Sequence, residues 1–267
     1  MTWQNSAPVV VINLLLYLNL TSMVPNIEAF IICWNEEQII RHTLNHYSSF
    51  CSKITLIDNH STDNTPGIVK KYFPDVNIVN FDSNNEHRDD ILLEIKNNCW
   101  KKSTANYVIV CDTDEFLFAK NMKSQLNLLC EHKVVLPLVI GYNMGSTEFP
   151  VNFEIPIYEQ VKNGKRESGF DKQIIFSPHT VTEINFALGC HECSPMLKHE
   201  KSVDTIVEFK LLHYKYLGKD YLYKKHEAYA SRLSLFNIRN NVGNHYFDRE
   251  HIDRSFSLLD KHLYKVV

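Results

Sequence analysis

Asp112, Asp114 and Glu115 fall within four residues of an otherwise apolar stretch, VIVCDTDEFLF at 108–118. Alternate residues of an extended strand share a face, so a strand continuing through this stretch points Asp112 and Asp114 the same way. Like charges that close repel, and burial adds a desolvation cost for each ion. A divalent cation removes both costs. Mg2+ and Mn2+ take carboxylate oxygens and usually keep substrate phosphates as further ligands. The spacing therefore implies a metal that bridges the protein to a phosphorylated ligand. A solvated loop with its charges facing water is the competing expectation, and the apolar residues on both sides weigh against it.

The elements that must position these carboxylates repeat along the chain from residue 28. Short apolar runs of strand length occur at 29–34, 53–59, 76–81 and 107–112. Between them, 36–50, 61–73 and 88–102 carry apolar residues at helical spacing. Strands that are apolar nearly throughout and alternate with helices predict a parallel sheet covered on both faces. Ligands of such sheets bind beyond the carboxyl ends of the strands. That rule puts Asn35, Glu36, Asp58, Asn59, His60 and Asp112 on one rim.

After residue 120 the alternation loosens. A helix is expected over 121–132 and a strand over 134–144. A mobile loop or irregular hairpin is expected over 145–170, where Gly145, Gly164 and Gly169 fall. KQIIFSP, TEINFALGCHE and VEFKLLHYKYL read as strands of a second, smaller mixed sheet, and 219–236 as a helix. The expected organisation is an N-terminal extension (1–27), one α/β domain (28–240) and a C-terminal helical tail (241–267).

Bulk properties narrow the function. The net charge of −3 comes with no Lys/Arg tract, which argues against a nucleic-acid binder. Seven cysteines, an odd number with several in core elements, favour reduced thiols and a cytoplasmic location. The one CxxC, at 190–193, lacks the second pair that a structural zinc site needs. The apolar run VVVINLLLYLNL at 9–20 is too short to span a bilayer and lacks the flanks of a signal peptide. An added strand or helix, an unstructured leader and peripheral contact with a membrane surface are its readings.

The segment AFIICWNEEQIIRHTLNHYSSFCSKITLIDNHSTDNT resembles the opening of family-2-like glycosyltransferases. CDTDEFLF resembles their DxD motif in the Asp-x-Asp-Glu-Phe form of one branch, and DKQIIFSP, GCHE and LLHYKYLGKDYLYKK resemble later parts of that branch. The likeness covers roughly residues 28–235. It implies a GT-A (Rossmann-like) fold, a nucleotide-sugar donor, an acceptor that is a saccharide or glycolipid, and Mn2+ or Mg2+. It also implies roles. Asn35 and Glu36 would border the nucleoside. Asp58 would read the base, where a carboxylate can accept an imide N–H such as that of uracil. The other reading of Asp58 is a turn or N-cap, but Ser61 and Thr62 already offer capping groups. Asp114 would bind the metal directly, and Asp112 the ribose or a metal-bound water. Glu115 would support them, His213 would close the metal site, and Lys215 and Lys219 would neutralise the leaving diphosphate.

Transfer with inversion, usual for the resembled group, needs a general base. The Glu-Asp pair usual in that group is not visible here. Asp171, His191 and Glu192 are the candidates, because the resemblance puts their segments on the acceptor side. Two other readings compete. A haloacid-dehalogenase-like phosphatase also uses Asp-x-Asp, but near the start of its domain. A degenerate glycan- or nucleotide-binding domain would be expected to have lost a metal carboxylate or the closing histidine.

Overall fold

The computed structural model describes residues 25–199 and 204–267. The segment 9–20, with its expected added element or membrane contact, lies outside them. The alternation read from the sequence is present. Strands β1 (Ile27–Cys33), β2 (Lys53–Asp58), β3 (Asn77–Asn80) and β4 (Tyr107–Asp112) run parallel in the order β3-β2-β1-β4. Helices α1 (Ile40–Ser48), α2 (Thr65–Tyr72) and α3 (Asp89–Asn98) connect them. Cys33 lies level with Asp58, and Ile32 with Asp112, so three strands end on a common rim. One face of this sheet packs Ile31, Leu56 and Ile109 against Ile40, Leu44 and Tyr47 of α1. The other packs Phe30, Ile57 and Val110 with Trp100 and Phe176.

The second half departs from expectation in places. The chain crosses to a second sheet at β5 (Glu115–Phe118), followed by α4 (Met122–Glu131) and β6 (Pro137–Ser146). Residues 147–156 are tied down rather than loose. His42 Nε2 lies 2.8 Å from the Pro150 carbonyl oxygen, and Asn45 Nδ2 donates to the Phe153 carbonyl oxygen at 2.8 Å. The chain then forms α5 (Ile157–Gln160) and β7 (Asn163–Arg166), and β7 pairs antiparallel with β6.

KQIIFSP joins the first sheet: β8 (Ile175–Phe176) pairs antiparallel with β4. Of TEINFALGCHE, only β9 (Val181–Glu183) includes strand, and it pairs with β10 (Met196–Leu197) in a two-stranded ribbon. The long strand β11 (Asp204–Leu217) is the centre of the second sheet, parallel to β6 and antiparallel to β5.

The helix expected over 219–236 breaks into α6 (Lys219–Ala230) and α7 (Leu235–Arg239). Ser234 caps α7 by accepting from the Asn237 N–H. The tail contains α8 (Arg249–His262) and ends in β12 (Tyr264–Lys265), which adds to β7 and completes the order β12-β7-β6-β11-β5. No helix among the described residues is long and apolar enough to cross a membrane.

Candidate active site

The chain leaves the parallel sheet where its carboxylates stand. β4 ends at Asp112, Thr113 and Asp114 form a turn, and β5 begins at Glu115. The strand therefore does not continue through the motif, and the expected common face for Asp112 and Asp114 is corrected: the turn sends them to different partners. One face of α1 holds the turn. Thr43 Oγ1 donates to the Thr113 carbonyl oxygen at 2.6 Å, and the Tyr47 hydroxyl to that of Glu115 at 2.7 Å. His46 Nε2 lies 2.9 Å from the Leu117 carbonyl oxygen. From β11, the Tyr214 N–H donates to the Asp114 carbonyl oxygen at 2.8 Å.

Each carboxylate meets a lysine. Glu115 Oε2 accepts the Asp112 N–H at 3.0 Å, and Oε1 lies 2.6 Å from Lys172 Nζ. Both side chains of this pair are almost fully buried. Burial alone would raise the Glu115 pKa, but Lys172, then Lys96 and His213, outweigh it and bring it to about 2. Asp112 pairs with Lys96 at 2.7 Å. Asp114 Oδ2 lies 3.0 Å from Lys225 Nζ, which also reaches Glu36 Oε1 at 2.9 Å. Burial opposes ionisation of Asp114, yet Lys225 and His213 hold it well below the usual carboxylate range. Glu36 goes the other way: burial and the Asp114 charge raise it more than Lys225 lowers it. Three lysines thus relieve the repulsion read from the sequence, and that repulsion does not by itself require a metal.

His213 enters from β11. Its Nδ1 lies 2.8 Å from Asn143 Oδ1 and its Nε2 3.5 Å from Asp114 Oδ2. An amide oxygen only accepts, so the ring carries a proton on Nδ1; the doubly protonated ring faces Asp114 as an Nε2 donor, and the neutral ring presents an Nε2 lone pair on the same side. The Phe170 ring stacks on His213 with centroids 4.0 Å apart. Phe170 crosses β6 at Gly141, where a Cβ would sit 2.3 Å from the Phe170 carbonyl carbon. Only glycine admits that crossing.

The expected metal trio of Asp112, Asp114 and His213 is not assembled. Asp112 is turned to Lys96, and among the described residues no three His, Cys, Asp or Glu side chains form a metal cage. Asp114 and His213 do fit a divalent cation as a pair: a carboxylate oxygen and an imidazole lone pair converge. The other ligands would then have to be diphosphate oxygens and water.

These groups line a cavity of about 270 Å³ beyond the strand ends, which also takes in Asn59, His191, Lys215 and Arg232. Asp58, expected to read the base, does not line it. Asp58 is buried and accepts both the Ser61 N–H at 3.0 Å and the Ser61 hydroxyl at 2.5 Å. Asn35 is likewise spent on a loop contact. Its Oδ1 accepts the Thr62 N–H at 2.7 Å, and its own N–H donates to Ser61 Oγ.

Of the three base candidates only His191 lines the cavity. Asp171 is tied to Arg166 at 2.5 Å and to the Gly141 N–H at 2.8 Å, while Glu192 is exposed outside it. His191 Nδ1 lies 2.5 Å from the Gly169 carbonyl oxygen, which fixes the proton there and leaves Nε2 as an acceptor. Burial and Lys172 lower its pKa. Lys219 pairs with Asp253 on the surface. Lys215, two residues beyond His213, makes no ion pair among the described residues.

Sequence reading missed the three lysines and the aromatic wall of the same cavity. Lys225 shares a helix face with Leu222 and Tyr229, and Lys96 shares one with Leu92 and Cys99; a lysine at an apolar helical position was the available signal. The Arg232 guanidinium lies 3.5 Å over the Trp34 ring, with Tyr229 edge-on to Trp34 and stacked on Tyr246. Of the CxxC, Cys190 is buried in the core with Cys193 packed beside it.

A model of glycosyl transferase family 2 matches residues 29–182. No curated protein matches the chain. Among solved structures the chain is similar to S. aureus TarS, at 14% identity and a TM-score of 0.47, over 77% of this chain and 39% of that one. It is similar to S. aureus TarS 1-349 in complex with UDP-GlcNAc at 14% identity and a TM-score of 0.43, over 78% and 66%. It is also similar to the mannosyltransferase PcManGT from Pyrobaculum calidifontis in complex with GDP-Man and Mn2+. There the identity is 18% and the TM-score 0.32, over 49% and 37%. The chain thus spans about two fifths of the length of TarS and just under two thirds of its 1-349 form.

Proposed function

The chain belongs to glycosyl transferase family 2, and we propose that it moves a sugar from a uridine diphosphate sugar to a saccharide or glycolipid hydroxyl, with inversion. The observation that carries this reading is the meeting of Asp114 and His213 beyond the ends of the parallel strands, with Lys215, which makes no ion pair among the described residues, lining the same cavity. These are groups suited to a nucleoside diphosphate. Asp114 and His213 would hold a divalent cation, which would supply positive charge to the leaving diphosphate. Lys215 adds a second positive charge from the same strand face.

Asn59 takes the part expected of Asp58. Its Nδ2 donates to Ser83 Oγ at 2.8 Å and its Oδ1 lies 3.1 Å from the same hydroxyl, which fixes the amide and leaves the second Oδ1 lone pair for an imide N–H. The wall of Trp34, Tyr229 and Tyr246 offers ring faces to the nucleoside. The anomeric carbon passes through an oxocarbenium-like state. His191 Nε2 takes the proton of the attacking hydroxyl. Asp112 and Glu115, bound to Lys96 and Lys172, position the turn rather than touch the sugar. The odd number of thiols, several in the core, supports a cytoplasmic location.

The test is release of free nucleoside diphosphate from UDP-sugars and GDP-sugars incubated with the protein and Mn2+. Release from a UDP-sugar, lowered by about two to three orders of magnitude in Asp114→Asn, is the expected result. Release from GDP-sugars alone would overturn the uridine assignment, and release from neither would overturn the transferase reading.

A further inference from the structure

Lys225 occupies an unusual place in this site. It projects from the second turn of α6, and its ammonium lies 3.0 Å from Asp114 Oδ2 and 2.9 Å from Glu36 Oε1. That same Oδ2 is the oxygen that lies 3.5 Å from His213 Nε2. The carboxylate oxygen best placed to share a cation with His213 is therefore already held by a cation of the chain. The Lys225 side chain is 16% exposed and lines the cavity. It is thus packed but not sealed, and a lysine stem has four rotatable carbons with which to swing. An ammonium and a divalent cation at one carboxylate oxygen repel each other.

We propose that Lys225 competes with the metal for Asp114, and that an incoming diphosphate draws the ammonium away, so that metal and nucleotide each strengthen the binding of the other. The inference rests on the donor-site reading above. Two features of the site support it. Glu36 gives the ammonium a second partner, so Lys225 can leave Asp114 without losing every countercharge. Lys215, two residues beyond His213 on β11, puts a further cation on the cavity lining where negative phosphate oxygens would be welcome. Linkage requires the coupling to be reciprocal: the factor by which UDP raises Mn2+ affinity equals the factor by which Mn2+ raises UDP affinity.

Two substitutions move metal affinity in opposite directions. Lys225→Met removes the competitor, and Mn2+ alone should bind at least about tenfold more tightly than to the natural chain. The gain from adding UDP should shrink accordingly. Glu36→Gln leaves Lys225 with Asp114 alone, and Mn2+ alone should bind more weakly. The measurement is free aqua-Mn2+ by electron paramagnetic resonance, with and without UDP, alongside calorimetry of UDP with and without Mn2+.

Tighter Mn2+ binding by Lys225→Met with weaker binding by Glu36→Gln is the expected pattern. Should Lys225→Met fail to fold by circular dichroism, the polar Lys225→Gln decides: tighter Mn2+ binding with a smaller gain from UDP supports the competition, and unchanged or weaker binding overturns it. Equal Mn2+ affinity in all three proteins overturns it as well, as does the absence of any mutual effect of UDP and Mn2+. These failures leave the donor site standing as long as UDP binds. Loss of nucleotide binding altogether in the natural chain is the separate result that removes the donor-site reading itself.

Discussion

Asp58 and Asp114 are both carboxylates at the carboxyl ends of parallel strands, and both are nearly fully buried, at 2% and 8% exposure. Their partners separate them. Asp58 is satisfied three residues away by Ser61, through the backbone N–H and the hydroxyl of one turn. Asp114 is satisfied by Lys225, 111 residues away, and by His213 on β11. A carboxylate that closes its own loop needs nothing else from the fold. One held between cations from distant elements marks the point where those elements were brought together. Burial and strand-end position are common to both, and only the origin of the partners distinguishes a turn from a site.

The sharpest way to break this contrast is Asp114→Asn, which should lower sugar transfer by about two to three orders of magnitude. Its melting temperature should move little, because Lys225 keeps Glu36. Lys172→Met attacks the buried pair behind the turn. Leaving Glu115 charged and unpaired should cost about 3–5 kcal/mol in chemical denaturation.

The same pair sets an acid limit. The Glu115 pKa is about 2 in the fold against an ordinary 4.5. Its stabilisation is therefore full above 4.5 and is lost as pH falls from there toward 2. Stability measured across that window should decline less in Glu115→Gln than in the natural chain.

His191→Gln should lower the transfer rate about a hundredfold. The base must be neutral, and burial lowers its pKa from 6.5. The acidic limb of the natural pH profile should therefore lie below 6.5 and vanish in the variant. The smallest effect on function is expected for Asp58→Asn, which should cost about 1–2 kcal/mol of stability and leave nucleotide affinity unchanged.

The parallel half of the fold was legible because strands covered on both faces are apolar throughout, and β1, β2 and β4 stand out as such runs. Spacing and resemblance singled out Asp112, Asp114, His191 and His213, and the fold brings these four to one cavity. The second half of the fold was not legible: β8, β9 and β10 are two or three residues long, too short to carry a period, and β8 completes a sheet begun far earlier in the chain. The surroundings of Asp58 were not legible, for a local reason. Ser61 looked like a rival capping group that freed the carboxylate, whereas it is the group the carboxylate binds. The lysines were missed because a lysine on a helix is ordinarily solvated, and only long-range packing turns Lys96 and Lys225 inward.

The most direct test is calorimetric titration of UDP, in the presence of Mn2+, into the natural chain, Asp58→Asn and Asp114→Asn. The account predicts equal binding by the first two and loss of binding in the third. Binding retained by Asp114→Asn, with loss in Asp58→Asn, would contradict it and return the base to the residue that the sequence first suggested.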